Sequence, residues 1–306
     1  MTHLFLINPA AGKRDCTAAL SAQINALCTA RGLDYRIRVS KQPGDITAFT
    51  REAAQSGEET RVYACGGDGT LNEAVCGAAG AAHVALTHYP CGSGNDFIKN
   101  FADPNAFRKL ENLLDAREAT LDLIQVGDRY SLSICSMGLD ARIGTEIAKY
   151  KRLPLVNGTG AYTLSILANL IRGIHRHYVV EVGGERIDDR FSMICVCNGR
   201  FYGGGYEPVP EARPDDGRLE ILLVNRVTRL QVAGIIGKYK AGKWAEYPNL
   251  FRHYAANRVV IHCDREEVIN LDGEAASGTD VEICLSEKKL RFFYPACTQL
   301  AEPKKD

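Results

Sequence analysis

The chain has 306 residues, of which 45% are hydrophobic and 24% are charged. That length allows two domains of ordinary size, and the composition is globular, which excludes a disordered or fibrous chain. Lys plus Arg equals Asp plus Glu at 37 each, so no overall field attracts nucleic acid, and no basic stripe of the nucleic-acid type is present. We therefore expect no nucleic-acid partner.

The start of the chain and its cysteines predict the cellular compartment of the protein. The chain begins with the apolar run of a first strand and lacks the basic start of a signal peptide. Eleven cysteines without a CxxC pair predict reduced, mostly buried thiols instead of a zinc site or disulfides. The apolar stretch 164–174 is interrupted by Asn169 and Arg172 and falls short of the roughly 20 residues of a membrane span. We expect a cytoplasmic protein without a transmembrane helix.

The first 118 residues alternate between apolar strands and helices. Strands are predicted at 4–7, 35–39, 61–65 and 83–89. Helices are predicted over 17–30, after residue 45 and after residue 70, with helical turns up to residue 114. This alternation is typical of βαβ units and predicts a mainly parallel sheet covered on both faces.

A glycine-rich segment follows the third predicted strand. Residues 65–73 read Cys-Gly-Gly-Asp-Gly-Thr-Leu-Asn-Glu, and Thr70 with Glu73 fits a capping box that opens a helix. Glycine N–H groups and a helix N terminus at such a turn can approach an anion closely. Asp68 can hold the divalent cation that a nucleoside triphosphate brings. On these residues alone, an ordinary βα loop explains the glycines equally well.

A second loop of the same kind follows the next strand. Residues 90–97 read Pro-Cys-Gly-Ser-Gly-Asn-Asp-Phe. Two glycine-rich strand exits in one parallel sheet predict a shared ligand crevice outside the carboxyl ends of the strands. A dinucleotide-binding dehydrogenase is excluded, because Asn8 and Pro9 follow the first strand where a GxGxxG segment would stand.

From residue 121 the pattern changes to short alternating runs separated by turn residues. A hairpin is predicted from strands 121–126 and 130–135, and helices are predicted at 141–151, 159–174 and 228–237. Further strands are predicted at 178–182, 191–197, 219–224, 258–263, 281–285 and 290–294. We interpret this half as an antiparallel, sandwich-like domain.

Five segments, in this order, resemble the diacylglycerol kinase catalytic family, in particular its bacterial lipid kinase and sphingosine-kinase-like branch. They are Asn-Pro-Ala-Ala-Gly-Lys at 8–13, the loop 66–73, the loop 90–97, Asn-Gly-Arg-Phe-Tyr-Gly-Gly-Gly at 198–205 running into Pro-Glu-Ala at 210–212, and Leu-Asp-Gly-Glu at 271–274. Ser40 and Ser93 stand where threonine is commoner, but serine keeps the hydroxyl group.

The resemblance implies two domains. Residues 1–119 with the C-terminal segment 292–306 would form a three-layer α/β domain that binds ATP, like that of phosphofructokinase and NAD kinase. Residues 120–291 would form an antiparallel β-sandwich that binds the lipid substrate. ATP and Mg²⁺ would be the cosubstrate and cofactor, and the γ-phosphoryl group would pass to a lipid alcohol, with diacylglycerol as the default acceptor.

The resemblance also assigns residues to the nucleotide. The set surrounding ATP would be Asn8, Ser40, Gly66, Gly67, Asp68, Gly69, Thr70, Leu71, Asn72 and Ser93. Asp68 would lie near the metal and phosphates and take part in catalysis. The chain has no GxxxxGK[ST] P-loop, so Lys13 is the nearest lysine candidate for a phosphate contact, with a solvated helix-start lysine as the alternative.

Two further acidic sites come from the resemblance. Asp272 would be the general base, with Glu274 beside it, although an Asp-Gly pair between two strands is also a common hairpin turn. Asp216 would hold a second, structural Mg²⁺ together with the backbone carbonyls of Arg213 and Arg218, a hard oxygen donor set. The alternative for Asp216 is a solvated turn residue.

A lipid acceptor implies peripheral contact with the inner face of the membrane. Two segments combine basic and aromatic side chains in the way that interfacial patches do, residues 149–153 and residues 238–244. Such a segment is more often a solvated helix face, which is the alternative for each. The rival functions are an NAD kinase and, from another class, a catalytically silent nucleotide or lipid sensor. The loop 90–97 with Asn72 and Glu73 fits the lipid kinase pattern better than the NAD kinase pattern. Neither a monomer nor a homodimer is excluded by the sequence.

Overall fold

The computed structural model describes residues 1–151, 169 and 173–303. The chain divides into two compact units. The first comprises Met1–Leu123, Tyr130–Leu132 and Ser286–Glu302, and the second comprises Ile124–Arg129, Ser133–Leu285 and residue 303. The helix predicted at 159–174 falls outside the described residues except at 169, 173 and 174. Among the described residues, no helix has the length and hydropathy needed to cross a bilayer.

The first unit is built on a six-stranded sheet. Its strands are β1 (Thr2–Ile7), β2 (Tyr35–Val39), β3 (Thr60–Gly66), β4 (Val84–Pro90), β5 (Ala116–Leu121) and β15 (Leu290–Pro295), in the order β2-β1-β3-β4-β15-β5. All neighbours are parallel except β15 and β5. The helices are α1 (Thr17–Ala30), α2 (Asp45–Ser56), α3 (Asp68–Ala78) and α4 (Leu110–Leu114), with 3₁₀ turns at Phe97–Asn100 and Pro104–Arg108. The predicted mainly parallel sheet is confirmed.

Aromatic side chains join the end of the chain to this sheet. The ring of Tyr63 in β3 stacks on Phe5 in β1 with centroids 4.1 Å apart, and its edge meets Phe293 in β15 at 4.9 Å. All three rings are fully buried. Because aromatic pairs add to the free energy of burying their area, this cluster stabilises the return of β15 into the sheet.

The remaining nine strands form an antiparallel sheet that lies mostly in the second unit. They are β6 (Ile124–Val126), β7 (Arg129–Ser131), β8 (Ile134–Gly138), β9 (Arg176–Val182), β10 (Glu185–Cys197), β11 (Leu219–Asn225), β12 (Phe251–Ala256), β13 (Arg258–Leu271) and β14 (Glu274–Leu285). The order is β12-β11-β10-β8-β13-β14-β6-β7, and β9 pairs with both β10 and β13. The helices of the second unit are α5 (Leu139–Lys151) and α6 (Arg229–Lys240), followed by a 3₁₀ turn at Trp244–Glu246. The predicted antiparallel, β-rich domain is confirmed.

Two long strands fold this sheet over its core. The first half of β10 pairs with β9, and its second half pairs with β8 and β11 after a register shift between Phe191 and Met193. β13 changes partner in the same way after a shift between His262 and Glu267. Bulges of this kind bend strands and increase their twist, so one continuous sheet encloses a buried interior.

The cysteines are all free thiols, as the sequence predicted, and only Cys297 is exposed. Cys195 and Cys197 lie on the same face of β10 with their sulfur atoms 3.5 Å apart. Burial raises the pKa of the Cys197 thiol well above its ordinary value. These thiols therefore behave as core residues and not as nucleophiles.

Candidate active site

The two glycine-rich loops meet at the carbonyl oxygen of Gly66. The backbone N–H groups of Cys91 and Gly92 donate to it at 2.7 and 3.1 Å. The Nε2 atom of His88 lies 3.0 Å from the same oxygen. A Cβ atom on Gly92 would come within 2.5 Å of the Gly67 Cα, so the close approach of the loops requires glycine there. The structure thus brings the two predicted loops together.

The helix that follows the first loop has no side-chain cap. α3 begins at Asp68 with Gly67 as its N-cap residue. The predicted capping box is wrong, because Thr70 Oγ1 instead accepts a hydrogen bond from Asn8 Nδ2 at 2.9 Å, and the Glu73 carboxylate accepts one from the N–H of Gly44 at 3.1 Å. Backbone N–H groups and the positive end of the helix dipole at an uncapped terminus suit a phosphate group.

Asp68 stands where the two loops join. The backbone N–H of Asp96 donates to its Oδ1, and its Oδ2 occupies the space that a Cβ atom on Gly94 would take, at 2.5 Å. Burial, and after it the negative charge of Asp96, raises the pKa of Asp68. Asp96 also binds the ammonium group of Lys99. A divalent cation beside these two carboxylates would relieve both effects, so the residues fit the magnesium ion that the fold implies.

The other predicted nucleotide residues divide into two groups. Ser40 follows β2, and its N–H donates to Ile7 at 2.9 Å, which places it at the same sheet edge as Asn8. Ser93 is exposed in the second loop. Leu71 is a core residue, and the Asn72 side chain donates to the carbonyl of Tyr130 at 3.2 Å. The side chains of Leu71 and Asn72 therefore serve packing, and Lys13 is exposed.

Three residues of this site were not singled out by the sequence analysis. Asn95 has φ +47° and stabilises the second loop, because its side chain accepts from the N–H of Gly92 and donates to the carbonyl of Gly92. Asp96 donates its backbone N–H to Asp68, and His88 lies within hydrogen-bond distance of the Gly66 carbonyl. The available signal was a histidine at the end of the apolar run 83–89, because buried imidazoles need a hydrogen-bond partner.

Asp272 lies in the tight turn between β13 and β14 and adopts φ +50°. Its carboxylate accepts hydrogen bonds from the backbone N–H groups of Ser133 at 3.0 Å and Ile134 at 2.8 Å. These two backbone hydrogen bonds fix the direction of the carboxylate. Glu274 begins β14 with an exposed side chain.

Asp216 lies in the loop before β11, and its side chain is 21% exposed. Burial raises the pKa of its carboxyl group. The backbone N–H and the Nε of Arg218 each lie 3.2 Å from one of its oxygens, and the guanidinium of Arg213 binds Asp215 instead. No group of three or more Asp, Glu, His or Cys side chains in the described part of the chain is arranged to hold a metal. A carboxylate with two backbone carbonyls still fits a hydrated Mg²⁺, once the Arg218 guanidinium turns away.

A cavity of about 100 Å³ lies beneath α6 in the second unit. Its walls are almost entirely apolar and include Met193, Ile235 and Phe251. The lining also includes residues with polar groups, among them Asp140 and Tyr202. Ser136 Oγ donates to Asp140 at 2.8 Å, the Tyr202 and Tyr239 hydroxyl groups lie 2.9 Å apart, and burial raises the pKa of Asp140. Such a cavity suits an aliphatic chain.

An α/β unit with two glycine-rich loops at one sheet edge, joined to a β-sandwich, defines a class of two-domain kinase folds. Residues 2–126 match the family model described as the diacylglycerol kinase catalytic domain. Residues 133–294 match the model described as the YegS C-terminal NAD kinase beta sandwich-like domain. The chain therefore belongs to the diacylglycerol kinase catalytic family, in the branch with the YegS-type C-terminal domain.

Relatives and solved structures agree with this placement. The chain is 29% identical over 281 residues to a Pseudomonas fluorescens protein named "Probable lipid kinase YegS-like", covering 90% of this chain and 92% of that one. It is 23% identical over 296 residues to a Staphylococcus carnosus "Putative lipid kinase", with 95% and 96% covered. A crystal structure of a "putative diacylglycerol kinase" from Bacillus anthracis has the same fold, with a TM-score of 0.72, 22% identity and 96% of each chain covered.

Proposed function

We propose that the protein is a lipid kinase that transfers the γ-phosphoryl group of ATP to the hydroxyl group of a lipid. Diacylglycerol, which would give phosphatidic acid, is the first candidate acceptor. The observation that carries the proposal is the junction of the two glycine-rich loops at Gly66, beside the uncapped N terminus of α3 and the carboxylate of Asp68. Membership of the diacylglycerol kinase family and the names of its relatives support the same reaction.

The first unit would hold the nucleotide. Phosphoryl transfer needs positioning and charge stabilisation more than covalent chemistry from the protein. The backbone N–H groups from Gly67 to Thr70 supply donors for the phosphate oxygens. Asp68 with Asp96 would hold Mg²⁺, which when bound neutralises the charge on the phosphates. Asp216, with the carbonyls of Arg213 and Arg218, would hold a second Mg²⁺ of structural role.

Asp272 would take the proton of the acceptor. The lipid hydroxyl oxygen forms a bond to the γ-phosphorus, the bond from that phosphorus to the oxygen of the leaving ADP breaks, and the hydroxyl proton passes to the Asp272 carboxylate. The N–H groups of Ser133 and Ile134 hold that carboxylate in one orientation, which is what a general base needs. Glu274 is the second acidic side chain at this turn.

The apolar cavity favours a lipid acceptor over NAD. NAD is polar and charged, so an apolar cavity lined by residues such as Met193, Ile235 and Phe251 offers it little. Transfer of an acyl chain from water into such a space is favourable by about 0.8 kcal/mol per buried CH₂ group. The cavity therefore supports the lipid kinase proposal against the NAD kinase alternative.

A lipid acceptor brings the protein to a membrane surface, and we include peripheral association with the inner face of the membrane in the proposal. The predicted patch at 149–153 lies outside the residues whose side chains are described. In the second patch Tyr239 is buried, and the Trp244 ring lies 4.6 Å from His253. Its aromatic rings therefore pack inward, and the exposed large apolar residues on α6 are Leu230 and Ile236. Sedimentation with vesicles that contain or lack anionic lipid tests this part.

The reaction is tested with purified protein, labelled ATP and Mg²⁺. Mixed micelles would present diacylglycerol, ceramide, sphingosine or monoacylglycerol in separate tubes, and one micelle-free tube would contain NAD. Label in one lipid above the others supports the proposal and identifies the acceptor. Label in the NAD tube alone replaces it with NAD kinase activity, and no product in any tube, with ATP binding intact, favours the sensor.

A further inference from the structure

His88 lies beside the first glycine-rich loop, near the C-terminal end of β4. Its side chain is fully buried, and its Nε2 lies 3.0 Å from the carbonyl oxygen of Gly66. A carbonyl oxygen only accepts hydrogen bonds, so Nε2 must carry the hydrogen. The Nδ1 atom has no hydrogen-bond partner among the described residues, and burial lowers the pKa of the ring. His88 is therefore a neutral Nε2–H tautomer that donates to Gly66.

This hydrogen bond acts on the first peptide group of the loop. The chain has no cis peptide bonds among its described residues, so the N–H of Gly67 points opposite to the C=O of Gly66. Gly67 is the N-cap residue of α3. Whatever fixes the direction of the Gly66 carbonyl therefore also fixes the direction of the Gly67 N–H at the uncapped helix terminus.

The same peptide group is held from its other side by Thr70. A Cβ atom on Gly66 would come within 2.2 Å of Thr70 Oγ1, so the threonine side chain packs directly on the Gly66 Cα. Cys91 and Gly92 donate to the Gly66 oxygen through backbone N–H groups of the second loop. His88 is the side chain that anchors this junction to the rigid strand, because it lies within β4 and is paired with Ala64 of β3.

A buried imidazole with one unpartnered nitrogen costs free energy, and an apolar residue would avoid that cost. We propose that His88 is a positioning residue for the nucleotide. By donating to Gly66 it fixes the orientation of the Gly66–Gly67 peptide and hence of the backbone N–H groups that face the phosphates. The inference rests on the proposed function, in which this loop binds the phosphates of ATP.

The test compares three variants of His88 in the full chain. His88→Gln keeps an N–H donor at the reach of Nε2, His88→Asn withdraws it by one methylene group, and His88→Leu removes it. Thr87→Val is the matched control, since Thr87 is the preceding buried β4 residue and its hydroxyl has no hydrogen-bond partner among the described residues. ATP affinity is measured by calorimetry, folding by thermal unfolding, and KM for ATP and for the lipid from turnover.

We expect the Leu and Asn variants to bind ATP about 2- to 10-fold more weakly, as for the loss of one hydrogen bond. The Gln variant and the Thr87→Val control should stay within about twofold of the natural protein on the same scale. KM for ATP should rise while KM for the lipid stays unchanged. If the Leu variant fails to fold, the Gln and Asn pair, which differ only in reach, carries the same comparison.

Equal ATP affinity in all the folded variants overturns the inference, and so does a Gln variant as weak as the Asn variant. With either of these outcomes, the proposed function still stands if the natural protein binds ATP and phosphorylates a lipid, and only the role of His88 is rejected. If the natural protein binds no ATP, the proposed function fails and this inference fails with it.

Discussion

Asp272 and Ile134 are hydrogen-bonded to each other in both directions. The backbone N–H of Asp272 donates to the Ile134 carbonyl at 3.0 Å, and the Ile134 N–H donates to the Asp272 carboxylate at 2.8 Å. This reciprocal pair ties the turn after β13 to the start of β8. These backbone hydrogen bonds fix the direction of the carboxylate, so the effect of substituting Asp272 can be interpreted in terms of its chemistry.

Replacing Asp272 with asparagine should reduce the turnover of lipid about 10²- to 10⁴-fold, the usual cost of losing a general base. Asparagine tolerates the φ of +50° and still accepts hydrogen bonds through its oxygen, so the variant should fold. Asp128→Asn, in the turn between β6 and β7, is the matched control and should remain active. Turnover and thermal unfolding are measured for both. A folded Asp272→Asn enzyme with full activity would show that the base is another group.

The sequence was most informative where an apolar strand ends in glycine. β3, β4 and both glycine-rich loops could be predicted because each buried run stops abruptly at residues that favour turns. Thr70 and Glu73 misled the prediction because their spacing matches a capping box. Tertiary contacts override that local preference, since Asn8 and Gly44 bind the two side chains instead. Local spacing does not reveal a partner about 30 or 60 residues away.

In the second unit, the hydrophobic pattern underestimates the length of two strands. β10 and β13 are about twice as long as predicted, because the first half of β10 and the middle of β13 are polar and exposed while they continue the ladder. Hydrophobic alternation detects only the half of a strand that faces a core. The inward packing of Tyr239 was likewise missed, because a tyrosine between two lysines resembles a surface residue until its hydroxyl partner, Tyr202, is known.

Filling the apolar cavity should separate the lipid from the nucleotide. Ile235→Trp puts a large side chain into the space beneath α6, and we expect at least a tenfold fall in kcat/KM for the lipid, the scale on which a pocket discriminates by size. ATP affinity should not change. Ala233→Trp places the same residue at an exposed position of α6 and should have no effect on either quantity. Unchanged lipid turnover in a folded Ile235→Trp variant would remove the cavity from the acceptor site.

The proposed metal site at Asp216 predicts a stability effect that does not need nucleotide. At about ten times its dissociation constant, a bound Mg²⁺ stabilises the folded state by about 1.4 kcal/mol, which raises Tm by a few degrees. We expect this rise in the natural protein, its reversal by EDTA, and its loss in Asp216→Asn. Asp215→Asn is the control, because the neighbouring carboxylate pairs with Arg213. An equal Mg²⁺ response in the Asp216 variant would contradict the site.

His3 should make the stability of the protein sensitive to acid. It is buried in β1 with Nδ1 2.8 Å from the Tyr63 hydroxyl, and burial lowers its pKa from 6.5 to about 4. Between these values the unfolded chain binds a proton that the folded chain does not, so stability is lost as pH falls from 6.5 towards 4. At 1.36 kcal/mol per pKa unit this is about 3 kcal/mol. His3→Asn keeps a partner for Tyr63 but does not titrate, so the free energy of unfolding in urea, measured against pH, should fall more steeply for the natural protein than for this variant. Parallel curves would mean that the imidazole becomes protonated inside the folded protein without cost.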